Sequence, residues 1–529
     1  MSESSGNAGT LAAILLFVAA SVWLGTLAQR IVERGSFLRG YFLGNRGLGA
    51  WALALTATVQ SGGTFMGFPS LVYSHGWALA LWIASYMVVP ITGFAVVGKR
   101  MAHLSRRTGA ITVPDLFRER FASPSLGLLS LTLVLFFMCF LMVAQFKAGA
   151  IVLKVAWPGS GALTLDETQE GQLDFYYYLG LSIFALTVVG YTVIGGFLAA
   201  VWTDLFQSVM MLIGVLILLP LVVSAAGGLE HASQAAVEQT GPGFLLPTGY
   251  SADGRVFMPL GLAVSVFFVW VFAGVGSPAG IVRIMASKNT ETVRKSVFLL
   301  AAYNMLIYLP LIVICVCGRA IIPNLQATDE IIPRLALHTT SHLSGGSLLA
   351  GLILTAPFGA VMATVSSFLV VIASGLVRDF YQRLIRPQAS MHEIKRLTYA
   401  AMIGVGIMAF VANLNPVQYL QALVVFSGSG AASAFAVPAV MAAYWRRATA
   451  AGVMAAMLLG AGTVVALYVI GFNLPDPMIG QSTRFRPYYL FGLEPIVWGL
   501  AGSLSSGVIV SLLTSPPPVD VVSRLFDRA

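Results

Sequence analysis

A carboxylate within an apolar stretch is costly to bury without a partner, so it marks a place where chemistry is expected. Asp204 is such a residue, in Trp202-Thr203-Asp204-Leu205-Phe206-Gln207 just behind Gly195-Gly196. Set among hydroxyl and carbonyl oxygens it makes a hard-cation site; capping a helix that begins there, it would gain about 0.3–1 kcal/mol from the helix dipole instead. A second oxygen-rich patch, Ala360-Val361-Met362-Ala363-Thr364-Val365-Ser366-Ser367, places Thr364 and Ser367 on one helical face. Those hydroxyls suit cation binding, bonding to the preceding turn, or holding helices together in a membrane. Lys147, in Ala144-Gln145-Phe146-Lys147-Ala148-Gly149-Ala150, follows a long apolar run. It either snorkels to the surface, meets a substrate carboxylate, or is a fixed cation standing in for a bound ion. Gln145 adds an amide at nearly the same depth, and Arg283 is read with Lys288 as the end of its helix.

What must position these groups is a set of helices, two of which are interrupted. Ser61-Gly62-Gly63 through Pro69 breaks one apolar stretch, and Gly274-Val275-Gly276-Ser277-Pro278-Ala279-Gly280 breaks another. A continuous helix satisfies its own N–H and C=O groups, so unwinding in hydrocarbon is tolerated only where the freed groups are buried in protein or line a cavity. Paired breaks in corresponding places of two halves point to a solute site at the membrane midplane. The unwound carbonyls around Ala57 and Gln60 would face the Thr364 patch.

The 529 residues are 57% hydrophobic and 10% charged, against roughly 25% charged in soluble proteins, and the mean hydropathy is +0.85. The reading is an integral membrane protein. Apolar runs long enough to span are predicted at 9–28, 48–74, 76–98, 124–154, 175–197, 200–226, 256–286, 295–320, 345–379, 397–414, 417–444, 448–471 and 489–513. The net charge of +9 reads as topology, with no nucleic-acid partner. With the N-terminus outside, 22 of the 30 Lys and Arg fall on the cytoplasmic side and five outside, which fixes an N-out, C-in chain. The first run has no Lys or Arg before it, unlike a signal peptide, and is expected to be retained. Cys139, Cys315 and Cys317 read as apolar thiols. The six histidines fall in loops or at helix ends and suggest neither a metal cluster nor a proton relay. Between 99 and 123, Thr112 or Asp115 would cap a short interfacial helix. No GxxxxGK[ST] motif supports ATP-driven transport. No nucleophile, base and metal-ligand set gathers at one depth, so an enzyme is not expected.

The broken stretches divide the chain into a leading helix (9–28), two sets of five helices (48–226 and 256–444) and two extra helices (448–513), all in one transmembrane domain. Odd-numbered sets insert with opposite orientation, the mark of an inverted repeat.

The chain resembles the sodium/solute symporter family over essentially all thirteen predicted helices. The resemblance rests on Tyr41-Phe42-Leu43-Gly44-Asn45-Arg46, Ser61 through Pro69, Gly190-Tyr191-Thr192-Val193-Ile194-Gly195-Gly196-Phe197 with Thr203-Asp204 and Gln207, and Ala360 through Ser367 followed by Arg378-Asp379-Phe380-Tyr381. Its wording is nearest the sodium/pantothenate symporters in Gln145-Phe146 with Gly149-Ala150, Gly276-Ser277-Pro278 to Val282-Arg283, and Gly318-Arg319-Ala320-Ile321-Ile322-Pro323. The resemblance implies a leucine-transporter-type fold with a five-plus-five inverted repeat broken at helices 2 and 7. It implies a sodium site from the backbone oxygens of Ala57, Gln60 and Ala360 and the side chains at 363 and 364. Thr364 keeps its hydroxyl, while Ala363 stands where the family usually has serine. Weaker binding, a replacement water and a different coupling ion all follow from that loss. A second sodium site, found in some members, would use Asp204, Ser366 and Ser367. Solute contacts are expected from Val59, Ser61, Thr64, Trp270, Gly274 and Ser277, with Gln145 and Lys147 as further candidates.

The expected function is secondary active symport: Na+ is the coupling ion, no organic cofactor takes part, and a small carboxylate such as pantothenate or another monocarboxylate enters across a bacterial inner membrane. A proton-coupled or cation-independent carrier of a sugar or amino acid, and a transporter-like membrane sensor, are the alternatives.

Overall fold

The computed structural model describes residues 3–32, 42, 46–57, 61–158, 170–249, 256, 258–416, 420–474 and 485–526. Its helices are, in chain order, α1 (Glu3–Val32), α2 (Ala50–Ala57), α3 (Phe68–His75), α4 (Ala80–Val89), α5 (Lys99–Thr108), α6 (Val113–Phe121), α7 (Pro124–Ala156), α8 (Glu170–Ala225), α9 (Leu229–Thr240), α10 (Leu260–Gly276), α11 (Pro278–Met285), α12 (Thr290–Ile321), α13 (Ile331–Thr340), α14 (Gly346–Ser374), α15 (Met391–Ala412), α16 (Leu420–Tyr444), α17 (Ala450–Asn473), α18 (Pro495–Leu513) and α19 (Val519–Phe526). Wide π turns lead into α3 at Gly63–Gly67, join α4 to α5 at Pro90–Gly98, and extend α14 through Gly375–Ile385. Among the described residues ten helices are long and apolar enough to cross a membrane, and a bent pair over 63–108 makes an eleventh candidate. The expected spans at 175–197 and 200–226 are the two helical halves of α8, which meet at a kink at Gly196 (φ 61°, ψ −152°), a conformation that glycine adopts without a Cβ penalty.

The bundle closes around α14, which packs along α8, α1 and α7, while α16 packs against α10, α7 and α17. Small residues permit that closeness, because helices in lipid associate by van der Waals fit rather than by exclusion of water. A Cβ on Gly351 of α14 would lie 2.6 Å from the Thr10 carbonyl oxygen of α1, and one on Gly214 of α8 would lie 2.7 Å from Ala356 Cβ.

The connections left as soluble stretches by hydropathy contain structure, notably α9 and α13. Thr112 is the cap expected before α6, its Oγ1 accepting from the Asp115 N–H at 3.0 Å. The 322–340 segment is pinned across one end of the bundle. Tyr73 of α3 donates to the Ile322 carbonyl at 2.6 Å and accepts from the Leu325 N–H at 3.1 Å, and Ser70 bonds Thr328. Lys147 of α7 pairs with Asp329 at 3.0 Å, Lys154 with Glu330 at 2.8 Å, and Arg334 with the same Glu330 at 2.6 Å. Lys147 is therefore buried in an ion pair and does not snorkel to the surface.

Removing one member of a buried pair leaves an uncompensated charge, whereas removing both does not. Lys147→Met is expected to destabilise the protein by about 3–5 kcal/mol, read as a lower unfolding midpoint in detergent. Lys147→Met combined with Asp329→Asn should recover most of that loss, and a double variant no better than the single one would contradict the pairing.

Candidate functional site

Two clusters of polar groups lie at the broken helices. The first surrounds Asp204. The Gly196 turn sets the second half of α8 running past α14, and Asp204, eight residues on, lies within the helix and is 1% exposed. It is not an N-terminal cap. Its Oδ2 takes the guanidinium of Arg283, whose Nη2 also donates to Ser367 Oγ. Ser366 Oγ lies 3.3 Å from Oδ1, and Ser367 Oγ lies 3.4 Å from Oδ2. Both hydroxyls also reach the Ala363 carbonyl, at 3.0 and 2.8 Å. Arg283 stands in the last turn of α11, at the end of its helix as the sequence suggested, but it is 5% exposed and faces Asp204.

The pair lines a small cavity together with Leu55, Thr56, Ser208, Met211, Ala279, Ala363, Thr364, Ser367 and Phe368. Ser208 Oγ donates to the Leu55 carbonyl and to that of Asp204, each at 2.7 Å, and so ties the last turn of α2 to α8. Thr364 Oγ1 donates to the Ala360 carbonyl at 2.9 Å. The structure thus brings Ala360, Ala363, Thr364, Asp204, Ser366 and Ser367 together next to α2. Ala57 is the last residue of α2, and Gln60 lies outside the described residues. An acidic oxygen, three hydroxyls and backbone carbonyls form a donor set suited to a hard, weakly polarising cation.

The second cluster surrounds the first break. Ser61 Oγ accepts from the Gly63 N–H at 3.1 Å, and Thr64 Oγ1 accepts from the Ser61 N–H at 3.3 Å. Gln145 of α7 accepts from the Gly62 N–H through Oε1 at 2.7 Å, and its Nε2 is buried without a partner. Thr64 meets the Tyr308 hydroxyl at 3.1 Å. From there a column of rings continues: Tyr308 stacks on Tyr86 (4.2 Å between centroids) and Tyr86 stacks on Trp270 (4.6 Å). Trp270 Nε1 is likewise buried without a partner. Ser61, Thr64, Gln145 and Trp270 therefore converge on one column.

The other expected solute contacts are engaged elsewhere. Ser277 is extended (φ −71°, ψ 115°) between α10 and α11, and its Oγ accepts from the Gly280 N–H at 3.2 Å, capping α11. Gly274 lies against the 90–98 turn, where a Cβ on Gly93 would come within 2.4 Å of the Gly274 carbonyl oxygen. Lys147 is taken by Asp329. Val59 lies outside the described residues, as do Tyr41, Leu43, Gly44 and Asn45 of the motif before the first break.

Sequence reasoning missed Arg283, Asp329, Tyr86 and Tyr308. A helical signal existed for Arg283, since Ala279 and Arg283 are four apart on α11 and so share a face. Asp329 gave none, because nothing local distinguishes it from a solvated loop carboxylate.

The model of the sodium:solute symporter family matches residues 41–460. The sodium/pantothenate symporter of Haemophilus influenzae is 30% identical over 501 residues, covering 93% of this chain and 96% of that one. That of Escherichia coli is 30% identical over 442 residues, covering 83% and 86%. The osmoregulated proline transporter OpuE of Bacillus subtilis is 27% identical, covering 91% and 90%. Among solved structures, a Na+-coupled sialic acid symporter in a substrate-bound outward-open state superposes with a TM-score of 0.72 at 17% identity, covering 96% of this chain and 99% of that one. Mhp1, a nucleobase-cation-symport-1 family transporter, superposes with a TM-score of 0.52 at 15% identity, covering 92% and 98%. At those identities the likeness is one of fold. The family match and the pantothenate-symporter relatives carry function as well: the chain belongs to the sodium:solute symporter family, a multi-pass membrane protein that couples sodium to solute uptake and is not an enzyme.

Proposed function

We propose that this chain takes up a small organic carboxylate of the pantothenate kind, with one sodium held at the cavity between α2, α8 and α14. The observation that carries the solute reading is the pair of buried N–H donors without a protein partner, Gln145 Nε2 at the first break and Trp270 Nε1 on the helix leading into the second. Buried donors are expected to be hydrogen-bonded, and a solute bearing carboxylate, amide and hydroxyl oxygens would satisfy them. The two pantothenate-symporter relatives support that class. The ion reading is supported by Thr364, Thr56 and Ser208 around the cavity, with the loss of a hydroxyl at Ala363 met by neighbouring oxygens.

The topology that goes with this reading has thirteen crossings, counting α8 as two at Gly196 and each broken helix as one, with the N-terminus outside and the C-terminus in the cytoplasm. Five crossings over 48–226 and five over 256–444 form an inverted repeat, and the bacterial relatives favour the inner membrane. The 322–340 segment then closes the outer face, and the cavity opens toward the cytoplasm once the ion and solute have moved inward. Coupling requires that each ligand raise the other's affinity, by a free energy of typically about 1–3 kcal/mol.

Radiolabelled pantothenate in proteoliposomes tests the reading. Accumulation is expected under an inward sodium gradient and not under potassium or proton gradients. No accumulation, with sodium still raising the unfolding midpoint, would discard the carboxylate and keep the ion site. Thr364→Ala should raise the sodium concentration for half-maximal uptake roughly 10–100-fold, the effect of losing one polar contact to a charge, about 1.5–3 kcal/mol. Gln145→Ala should raise the KM for pantothenate about 5-fold while leaving the sodium dependence unchanged, since one net hydrogen bond is worth ~1 kcal/mol.

A further inference from the structure

The first turn of α18 is built on a buried carboxyl group that, among the described residues, no Lys, Arg or His balances. Glu494 is 1% exposed and stands immediately before the last membrane-spanning segment, Pro495–Leu513. Its Oε2 accepts from the Ile496 N–H at 2.6 Å, and Ser429 Oγ of α16 lies 2.8 Å from its Oε1. Its own N–H donates to Ser265 Oγ of α10 at 2.9 Å. We propose that Glu494 is a proton-binding residue, neutral while α18 is seated on α10 and α16 and ionised when that seat loosens, so that ambient pH adjusts the helix that carries Trp270.

The surroundings leave the ionised form without a counter-charge. Asp204, Asp329 and Glu330 each have a basic partner, whereas α10, α16, α17 and α18, which pack around Glu494, contain no Asp, Glu, Lys, Arg or His. The titratable groups that face it are two phenols, Tyr468 on α17 and Tyr489 in the segment before α18. Arg486, the nearest basic residue along the described chain, donates to the Leu474 carbonyl instead. Burial of an unbalanced carboxylate disfavours its charge. It raises Glu494 from the usual 4.5 to about 7, against the smaller opposing effects of the Ile496 N–H and the Ser429 hydroxyl. The partners also suit a bound proton: Oε1 can donate to Ser429 Oγ while Oε2 goes on accepting from Ile496, so the cap of α18 survives protonation. Because the packed state holds the proton more tightly than the solvated one, the seat has its full stability below about 4.5 and loses it as pH rises through about 7. The loss reaches the solute region directly. Ile496, whose N–H the carboxyl holds, is buried with Val269 and Ala432, and Trp270 packs against the same cluster.

The unfolding midpoint of the purified full-length protein, compared with that of Glu494→Gln, tests the proposal without a solute. The amide is a neutral isostere that keeps both partners. The variant is expected to match the wild type well below pH 7 and to be the more stable of the two above it. An ionised carboxylate serving only to cap α18 gives the reverse order, and that result overturns the proposal. A lipid-soluble carbodiimide, which reacts with protonated carboxyl groups, supplies a measurement on the wild type alone should the variant fail to fold. Labelling of Glu494, located by mass spectrometry, should fall as pH rises through about 7; labelling that is absent or indifferent to pH overturns the assignment. Pantothenate uptake by the wild type should fall over the same interval while uptake by Glu494→Gln holds level, and an equal fall in both overturns the link to transport. Only this uptake arm rests on the solute reading above: a wild type with no uptake at any pH overturns that reading, and the midpoint and labelling still decide the proton site.

Discussion

A backbone that leaves its helix inside a membrane must find partners for the N–H and C=O groups it frees, and the arrangement of this protein follows from how that is done. At the first break Gln145 of α7 accepts from Gly62 N–H and Ser208 of α8 donates to the Leu55 carbonyl. At the second, Ser277 accepts from Gly280 N–H, and Thr92 donates to the Val271 carbonyl at 2.8 Å. Three of these four side chains come from a different helix than the one they satisfy. The breaks are therefore tied to the surrounding bundle, and movement of one element is passed to the groups around both polar clusters.

Charge follows the same logic. Asp204 with Arg283 and Lys147 with Asp329 each join two distant parts of the chain, and each pair is neutral. A buried pair adds little net stability, because desolvation offsets the attraction, yet losing one partner is strongly destabilising. Such pairs act less as glue than as latches that hold only while both halves face each other. The Lys147 pair closes the 322–340 segment over α3 and α7. The Asp204 pair fastens α11 to α8 and α14 beside the cavity. A transporter that alternates access needs contacts of this kind at both ends, specific in register but modest in net free energy.

The ring column links helices that lead to the two breaks. Tyr308, Tyr86 and Trp270 come from α12, α4 and α10, and their stacking joins the first break to the helix leading into the second. Stacked aromatic pairs contribute about 0.5–1.5 kcal/mol beyond their burial, a modest term that holds α12, α4 and α10 in register.

The sequence by itself determined that the chain crosses a membrane repeatedly and where most of its long apolar helices lie, because apolar length, glycine and proline act locally. It also singled out Asp204, Thr364, Ser366, Ser367, Ser61, Thr64 and Gln145, since polar atoms in apolar runs are conspicuous without a fold. Only the tertiary structure decided which of these groups meet. Arg283 read as a helix end, and from that end it also partners Asp204, 79 residues away; Lys147 read as a snorkelling residue, a partner for a solute carboxylate or a fixed cation, and it belongs to Asp329, 182 residues away. Ser277 and Gly274 carry the right residue types for a solute site but serve a helix cap and a close backbone contact. Pairing depends on distance in space, which residue type and spacing along the chain do not encode once the partners lie on different helices.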